Sequence, residues 1–230
     1  MKIEIWSDVY CPFCYIGEAN LKQAMAKYPE AKNIELEFKS FELDPSIDEK
    51  YDTTNYVAKK YNITDEQARK NYEGIVARGK EAGVDFDFDK AIIVNTFDAH
   101  RLINFAKTKN LMIPIVDRLF KAHFKDGLDV SDHTTLITLA AEVGLAKEET
   151  KQMLESNNFS VEVKTEEQEG ALLGVRSVPF FVFDRKFALT GAQPVESFEN
   201  ALEKAFGLTK GFEILNSDED STCGPNGCTF

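Results

Sequence analysis

The sequence SDVYCPFCYIG, residues 7–17, places two cysteines three positions apart where the chain changes from one hydrophobic period to another. Before it, KIEIWS (2–7) alternates, with Ile3 and Ile5 on one face, which indicates a β-strand. After it, apolar residues recur at three- and four-residue steps to about residue 28, which indicates a helix. Pro12 suits the first helical turn, where its missing N–H has no intrahelical partner to lose. Both cysteines therefore lie at a predicted helix start.

The rest of the chain predicts a sheet interrupted by helices. A strand is indicated at 34–43, and two more, forming a hairpin, at 179–184 and 187–190. Between them, a stretch of about 100 helical residues is too long to be a loop. We therefore predict an α/β fold whose sheet-containing domain is built from 1–48 and 159–210, with an all-helical insertion over 49–158. The remaining segment, 211–230, is predicted to be a flexible tail.

Composition limits the classes of partner. The 230 residues carry 27 Lys and Arg against 39 Asp and Glu, a formal net charge of −12. Such a surface repels phosphate backbones and anionic lipid, so we expect neither nucleic acid nor a membrane as partner. No apolar run reaches the roughly 20 residues of a membrane span, and Glu4 and Asp8 interrupt the apolar pattern that a secretory signal requires. A cytoplasmic location is expected.

The four cysteines form two close pairs, Cys11 with Cys14 and Cys223 with Cys228. In a reducing cytosol, close pairs indicate redox chemistry or metal binding more often than structural disulfides. The unpaired N–H groups at a helix start stabilise a thiolate, so Cys11 is expected to be exposed and ionised. Cys14 faces the same side, with Cβ atoms roughly 5–6 Å apart, within reach of a disulfide.

The first pair is therefore predicted to act as a reversible two-electron switch, in which Cys11 exchanges with a substrate disulfide and Cys14 resolves the mixed disulfide. Half of a zinc site and two inert core cysteines are the alternatives. No metal site is predicted, since zinc needs two further ligands and the other close pair lies at the far end of the chain.

A second signal is GVRSVPFF, residues 174–181, in which Val178-Pro179 introduces a strand. Proline cannot donate to a sheet ladder, so it belongs at the start of a strand or at a cis turn. Because only about 5–6% of X–Pro bonds in folded proteins are cis, the residues alone favour trans.

These features together resemble the thioredoxin fold with the helical insertion of the DsbA superfamily. More closely, the chain resembles the FrnE-like branch, which is related to 2-hydroxychromene-2-carboxylate isomerase. The resemblance extends over about residues 2–206 and rests on DVYCPFCYIG (8–17), NTFDAHRL (95–102), LFKAHFKDG (119–127), LAAEVGL (139–145), SVPFFVFDRKFALTGAQP (177–194) and FENAL (198–202).

The resemblance implies that Cys11 is the nucleophile and Cys14 the resolving thiol. It also implies that Pro179 is a cis-proline beside the cysteines and that Val178 offers its backbone to an extended substrate. Further substrate contacts are expected from Pro12, Phe13, Asn95 and His100, although His100 also fits an ordinary helix histidine.

Phe13 departs from the pattern of the family, because this branch often has tryptophan there and the periplasmic oxidases often have histidine. Without an imidazolium at this position, the Cys11 thiolate loses one stabilising partner. We therefore expect a weaker oxidant than the periplasmic enzymes.

The tail sequence CGPNGC holds the second cysteine pair, Cys223 and Cys228, around four residues that favour a tight turn. Some FrnE-like proteins carry a comparable pair. An auxiliary redox role, in which the tail passes electrons to Cys11 and Cys14, is the leading interpretation, and a metal clip or an idle tail are the alternatives.

The function predicted is that of an enzyme, a thiol–disulfide oxidoreductase acting on disulfide-containing proteins or low-molecular-weight thiols. A thioredoxin or glutathione system is expected as its reducing partner. No cofactor is expected, with glutathione as a candidate co-substrate. The alternatives are a glutathione-dependent isomerase or transferase, of the 2-hydroxychromene-2-carboxylate isomerase or kappa type, and a non-catalytic module whose phenylalanines form a peptide groove (Phe41, Phe180, Phe181 and Phe183).

Overall fold

The computed structural model describes residues 1–207, together with 213–214, 223–224 and 227–228. The strands in these ranges are β1 (Lys2–Ser7), β2 (Glu35–Ser40), β3 (Tyr51–Asp52), β4 (Ile92–Ile93), β5 (Phe180–Phe183), β6 (Phe187–Thr190), β7 (Glu213–Ile214), β8 (Cys223–Gly224) and β9 (Gly227–Cys228). The α-helices are α1 (Pro12–Met25), α2 (Thr53–Tyr61), α3 (Asp65–Ala82), α4 (Phe97–Lys107), α5 (Met112–Lys121), α6 (His133–Glu142), α7 (Lys147–Leu154), α8 (Ser160–Leu172) and α9 (Val195–Gly207).

The main sheet has five strands in the order β2-β1-β5-β6-β7. β1 is parallel to β2 and antiparallel to β5, while β6 is antiparallel to β5 and parallel to β7. Every residue of β5 and β6 is buried, as expected when helices cover both faces of a sheet. Trp6 pairs with Phe180, so the end of β1 lies beside the beginning of β5. This register brings the segment after β1 close to the segment before β5.

The helices pack against one another and against the sheet. α1 packs against α9 and α3, and α8 packs against β2. Trp6 is fully buried and its indole N–H donates a 2.8 Å hydrogen bond to the carbonyl of Glu166 on α8. A Cβ at Gly170 would lie 2.5 Å from that indole nitrogen, so glycine allows α8 to approach the sheet here. β1 is therefore fixed against α8 at the point where it leads into the cysteine segment.

The insertion between β2 and α8 is built mainly from α2 to α7, which confirms the predicted helical block. The Thr64–Gln67 capping box begins α3, and Gly83 ends it with a left-handed φ of 78°. Asp132 caps α6 through Thr135 N–H. The two-residue strands β3 and β4 pair antiparallel within the insertion and were not predicted, because two residues carry no detectable period.

The α/β fold class with a helical insertion is confirmed. The tail predicted to be flexible lies mostly outside the described residues. Where it is described, Glu213–Ile214 adds an edge strand to the sheet, which the prediction of a flexible tail did not include. Within the described part of the chain, no helix is both long enough and apolar enough to cross a bilayer.

Candidate active site

Cys11 occupies the N-cap of α1, and Pro12 is the first helical residue, as the sequence predicts. The backbone of Cys11 is extended, with φ −84° and ψ 112°. Its carbonyl accepts a 3.1 Å hydrogen bond from the Cys14 N–H, which closes the first turn. Both residues are free thiols. The helix start therefore places both free thiols in the first turn of α1.

The expectation that Cys11 is exposed and ionised is wrong for this dithiol conformation. Cys11 is 0% exposed and Cys14 is 2% exposed. Burial raises the pKa of the Cys11 thiol well above its ordinary value, and Cys14 and the Asp8 carboxylate add to the increase. The unpaired N–H groups of the helix terminus favour the thiolate, but the loss of solvent outweighs their effect on the pKa of Cys11.

The segment before β5 lies against the cysteines. The Val178–Pro179 peptide bond is cis, in agreement with the resemblance and against the preference of an isolated X–Pro bond. The Val178 carbonyl lies 3.8 Å from Cys11 Sγ and accepts its S–H. A Cβ at Gly17 would lie 3.1 Å from the Pro179 ring, so α1 packs closely against this turn. The sheet register thus brings Val178 and Pro179 to the thiols.

Phe13, between the cysteines, is covered by a residue of the insertion. The Arg78 guanidinium of α3 lies 5.3 Å from the centre of the Phe13 ring and donates a 2.8 Å hydrogen bond to the Ala192 carbonyl. Phe13 is 1% exposed. Sequence reasoning did not identify Arg78, because no local pattern connects a helix of the insertion with the first helix of the chain.

A small cavity adjoins the cysteine segment between the sheet domain and the insertion. Its volume is about 60 Å³, and Pro12 and Phe13 form one wall. His123 and Phe124, from the π-helical turn Ala122–Asp126, form part of another. The remaining aromatic side chains of the lining are Tyr10, Tyr56, Tyr61, Tyr72 and Phe88. The space next to Pro12 and Phe13 is therefore suited to apolar groups.

Two buried histidines lie in the same region. His100 on α4 is 2% exposed, and its Nε2 lies 3.4 Å from Asp8 Oδ1. Burial lowers the pKa of His123 to about 4, with Asp8 and Asp129 opposing the shift, so this imidazole is neutral near pH 7. No pattern in the sequence indicated that Asp8 faces these groups.

The side chain of Asn95 forms hydrogen bonds within the protein. Its Nδ2 donates a 3.2 Å hydrogen bond to the Ile47 carbonyl, and its Oδ1 accepts from the Phe97 N–H at the start of α4. The predicted contact residues thus fall into two groups. Pro12, Phe13 and Val178 are beside the thiols, whereas Asn95 and His100 bond or pair with other parts of the fold.

The second cysteine pair is described through its backbone. Cys223 pairs with Cys228 and Gly224 with Gly227 in the β8–β9 hairpin. A Cβ at Gly224 would lie 2.8 Å from the Arg176 carbonyl, and Gly224 also lines the cavity beside Pro12. The tail backbone therefore reaches the active-site region, while the side chains of both tail cysteines lie outside the described residues. Among the residues that are described, no group of three or more His, Cys, Asp or Glu has a geometry suited to a metal ion.

Comparison with known proteins agrees with this architecture. Residues 2–203 match the model of the DSBA-like thioredoxin domain. The crystal structure of a probable DsbA oxidoreductase, SCO1869 of Streptomyces coelicolor, is 35% identical with a TM-score of 0.88, over 100% of this chain and 99% of that one. The uncharacterized protein YwbO of Bacillus subtilis is 28% identical over 205 residues, 88% of this chain and 96% of its own.

A more distant structure shows the same fold. The cytosolic disulfide reductase DsbM of Pseudomonas aeruginosa superposes with a TM-score of 0.63 at 16% identity, over 91% of this chain and 100% of its own. The family match covers nearly the whole described chain. It accompanies three structural features, namely a cysteine pair at the start of α1, a cis-proline turn beside it and a helical insertion. The chain belongs to the family of DsbA-like thioredoxin domains and is an oxidoreductase at the level of that family.

Proposed function

We propose that this protein is a thiol–disulfide oxidoreductase that uses Cys11 as nucleophile and Cys14 as resolving thiol. The observation that carries the proposal is the position of two free thiols in the first turn of α1, with the Val178 carbonyl 3.8 Å from Cys11 Sγ. Family membership supports the reaction type, and the geometry supports the assignment of roles.

The exchange proceeds in two balanced steps. The Cys11 thiolate attacks a substrate disulfide, forms a mixed disulfide and releases one substrate sulfur as a thiolate, which takes up a proton. The Cys14 thiolate then attacks the Cys11 sulfur, forms the Cys11–Cys14 disulfide and releases the second substrate thiol. Two electrons pass from the protein to the substrate, and the reverse sequence oxidises a dithiol.

Substrate contacts are proposed for the residues that border the thiols. Val178 and Pro179 form the backbone edge beside Cys11, and Pro12 and Phe13 join that edge to the apolar cavity. We do not retain Asn95 and His100 as substrate contacts, because their polar atoms face other parts of the fold. Disulfide-containing proteins and low-molecular-weight thiols remain the proposed substrates.

A reducing cytoplasm with a thioredoxin or glutathione system as electron donor is the proposed setting. The support is chemical. A thiol whose pKa is raised by burial favours the disulfide form of the protein, and a couple of this kind tends to donate electrons rather than accept them.

The alternative is a glutathione-dependent isomerase or transferase, which the apolar cavity beside Pro12 and Phe13 favours. Replacing Cys14 with serine distinguishes the two. We expect Cys14→Ser to lose catalysed reduction of a peptide disulfide by glutathione, because the mixed disulfide can no longer be resolved within the protein. Full retention of glutathione-dependent turnover in that variant would favour the isomerase or transferase and contradict the oxidoreductase.

An auxiliary redox role for Cys223 and Cys228 is also proposed, supported by the close approach of Gly224 to the Arg176 carbonyl. A tail disulfide would exchange with the Cys11–Cys14 dithiol, transferring two electrons and two protons to the tail pair. We expect Cys223→Ser/Cys228→Ser to slow reoxidation or rereduction of the first pair several-fold, measured by stopped-flow mixing with glutathione. Identical rates in the wild-type chain and the double variant would remove the relay.

A further inference from the structure

Asp8 and His100 form a buried pair behind the cysteine segment. Asp8 follows β1 and is 0% exposed. Its Oδ2 accepts a 2.7 Å hydrogen bond from the Leu43 N–H, and its Oδ1 lies 3.4 Å from His100 Nε2. Within the described residues, neither of these two facing atoms has a hydrogen-bond partner. Each is therefore paired only with the other.

Opposite charges stabilise the pair. A buried carboxylate without a counterion is destabilising, so a protonated His100 is a suitable partner for Asp8. Burial opposes this protonation, but Asp8, Glu42 and Glu167 outweigh it and raise the pKa of His100. The charged groups that face the imidazole come from three elements, and Lys164 binds both glutamates at 2.6 and 3.0 Å. Asp8 is the only one of the three acids in direct ion-pair range of His100 among the described residues.

Asp8 is linked to the redox site both through its backbone and through its charge. The Asp8 carbonyl accepts a 3.1 Å hydrogen bond from the Cys11 N–H, which fixes the two residues in one turn. After burial and Cys14, the charge of Asp8 is a further cause that raises the pKa of Cys11. Tyr10 and His123 also face Asp8. Of these groups, His100 is the one whose pKa is raised, and its protonated form supplies a positive charge.

We propose that the Asp8–His100 pair sets the ionisation of Cys11, with Asp8 opposing the thiolate and the His100 imidazolium compensating for Asp8. Both are positioning residues in the sense that they act through Cys11 and do not touch the substrate. The proposal rests on the thiol–disulfide function above. Reduction of the Cys11–Cys14 disulfide breaks the S–S bond and takes up two electrons. Below the pKa of Cys11 it also takes up two protons and leaves two thiols, and above that pKa it takes up one proton and leaves a Cys11 thiolate beside a Cys14 thiol. Above the pKa of Cys11, loss of the imidazolium therefore disfavours the reduced state, and loss of the carboxylate favours it.

The test is a double-mutant cycle on the full chain with Asp8→Asn, His100→Gln and the double variant. The thiolate absorbance is followed against pH, and the equilibrium with glutathione is measured in parallel. We expect Asp8→Asn to lower the pKa of Cys11 by about one unit and His100→Gln to raise it by about one unit. At a pH above the Cys11 pKa, each unit corresponds to an approximately tenfold change in the equilibrium constant with glutathione, about 30 mV. The double variant is expected to lie between the single variants.

The Asp8→Asn substitution keeps an oxygen that can accept from the Leu43 N–H, so it tests charge with little change of shape. Should that variant not fold, His100→Gln still decides the matter. His133→Gln is the control, since His133 is 43% exposed and pairs with Asp98. Shifts of the same sign in both single variants, or an unchanged Cys11 pKa, would overturn the proposal. A wild-type chain that forms no Cys11–Cys14 disulfide would instead refute the proposed function, so the two failures are distinguishable.

Discussion

Replacing Cys11 with serine is expected to lower disulfide-exchange turnover by at least about a thousandfold. A serine hydroxyl cannot form a bond to sulfur in exchange with a disulfide, and no other described thiol lies at the N-cap of α1. Turnover is measured as reduction of a peptide disulfide by glutathione. The serine hydroxyl has the Val178 carbonyl as an acceptor within reach, so we expect the variant to fold. Thermal unfolding checks that it does.

Cys14→Ala is the matched variant, since it removes the second thiol and leaves the first. We expect this variant to accumulate a covalent complex with a disulfide substrate, joined through Cys11, which mass spectrometry identifies. The complex should disappear on addition of a reductant and should not form in Cys11→Ser/Cys14→Ala. Retained turnover in Cys11→Ser, or no covalent complex in Cys14→Ala, would contradict the assignment of the nucleophile.

Arg101→Met is expected to lower the free energy of unfolding by about 3 kcal/mol or more. Arg101 on α4 is 4% exposed and forms an ion pair with Asp98 at 2.6 Å. Its guanidinium also donates to backbone carbonyls at the end of α7 and in the segment that leads to α8, namely those of Met153, Ser156 and Asn158. Methionine fills the space but leaves these buried acceptors without a donor. Urea unfolding gives the free energy.

Arg69→Met is the control for the loss of an arginine. Arg69 pairs with Asp89 on the surface, with side chains 60% and 83% exposed, so its replacement should change stability by less than about 1 kcal/mol. Folded Arg101→Met is expected to retain the redox equilibrium of Cys11 and Cys14, because the hydrogen bonds and the ion pair of Arg101 that are described above do not involve the cysteine segment. Equal stability losses in the two variants would show that the carbonyl contacts of Arg101 contribute little.

Local signals in the sequence predicted most of the elements. The period change at residues 7–17 located β1 and α1 and put Cys11 at the N-cap. The capping box at Thr64 and the glycine at position 83 located both ends of α3. These features depend on residues close together in the chain. The cis bond at Pro179 came from the family resemblance, because the intrinsic preference of an X–Pro bond favours trans.

Contacts between distant parts of the chain were not predictable. Cys11 is fully buried and contacts the Val178 turn, which is distant in the chain, so no local pattern encodes its surroundings. The pairing of Asp8 with His100 and the position of Arg78 over Phe13 depend on the same packing. Residue types and spacing therefore indicated the chemistry, whereas the environment that adjusts the reactivity of the thiol required the structure.

The central claim is that Cys11 and Cys14 interconvert between dithiol and disulfide, and their redox equilibrium with glutathione tests it most directly. Samples are equilibrated over a range of glutathione ratios, and the fraction of free Cys11 and Cys14 is determined by alkylation and peptide mass analysis. We predict one reversible two-electron transition, with a potential more negative than the approximately −120 mV of the periplasmic oxidase DsbA. Two thiols that remain separately alkylated at every ratio, with no peptide in which they are joined, would contradict the account.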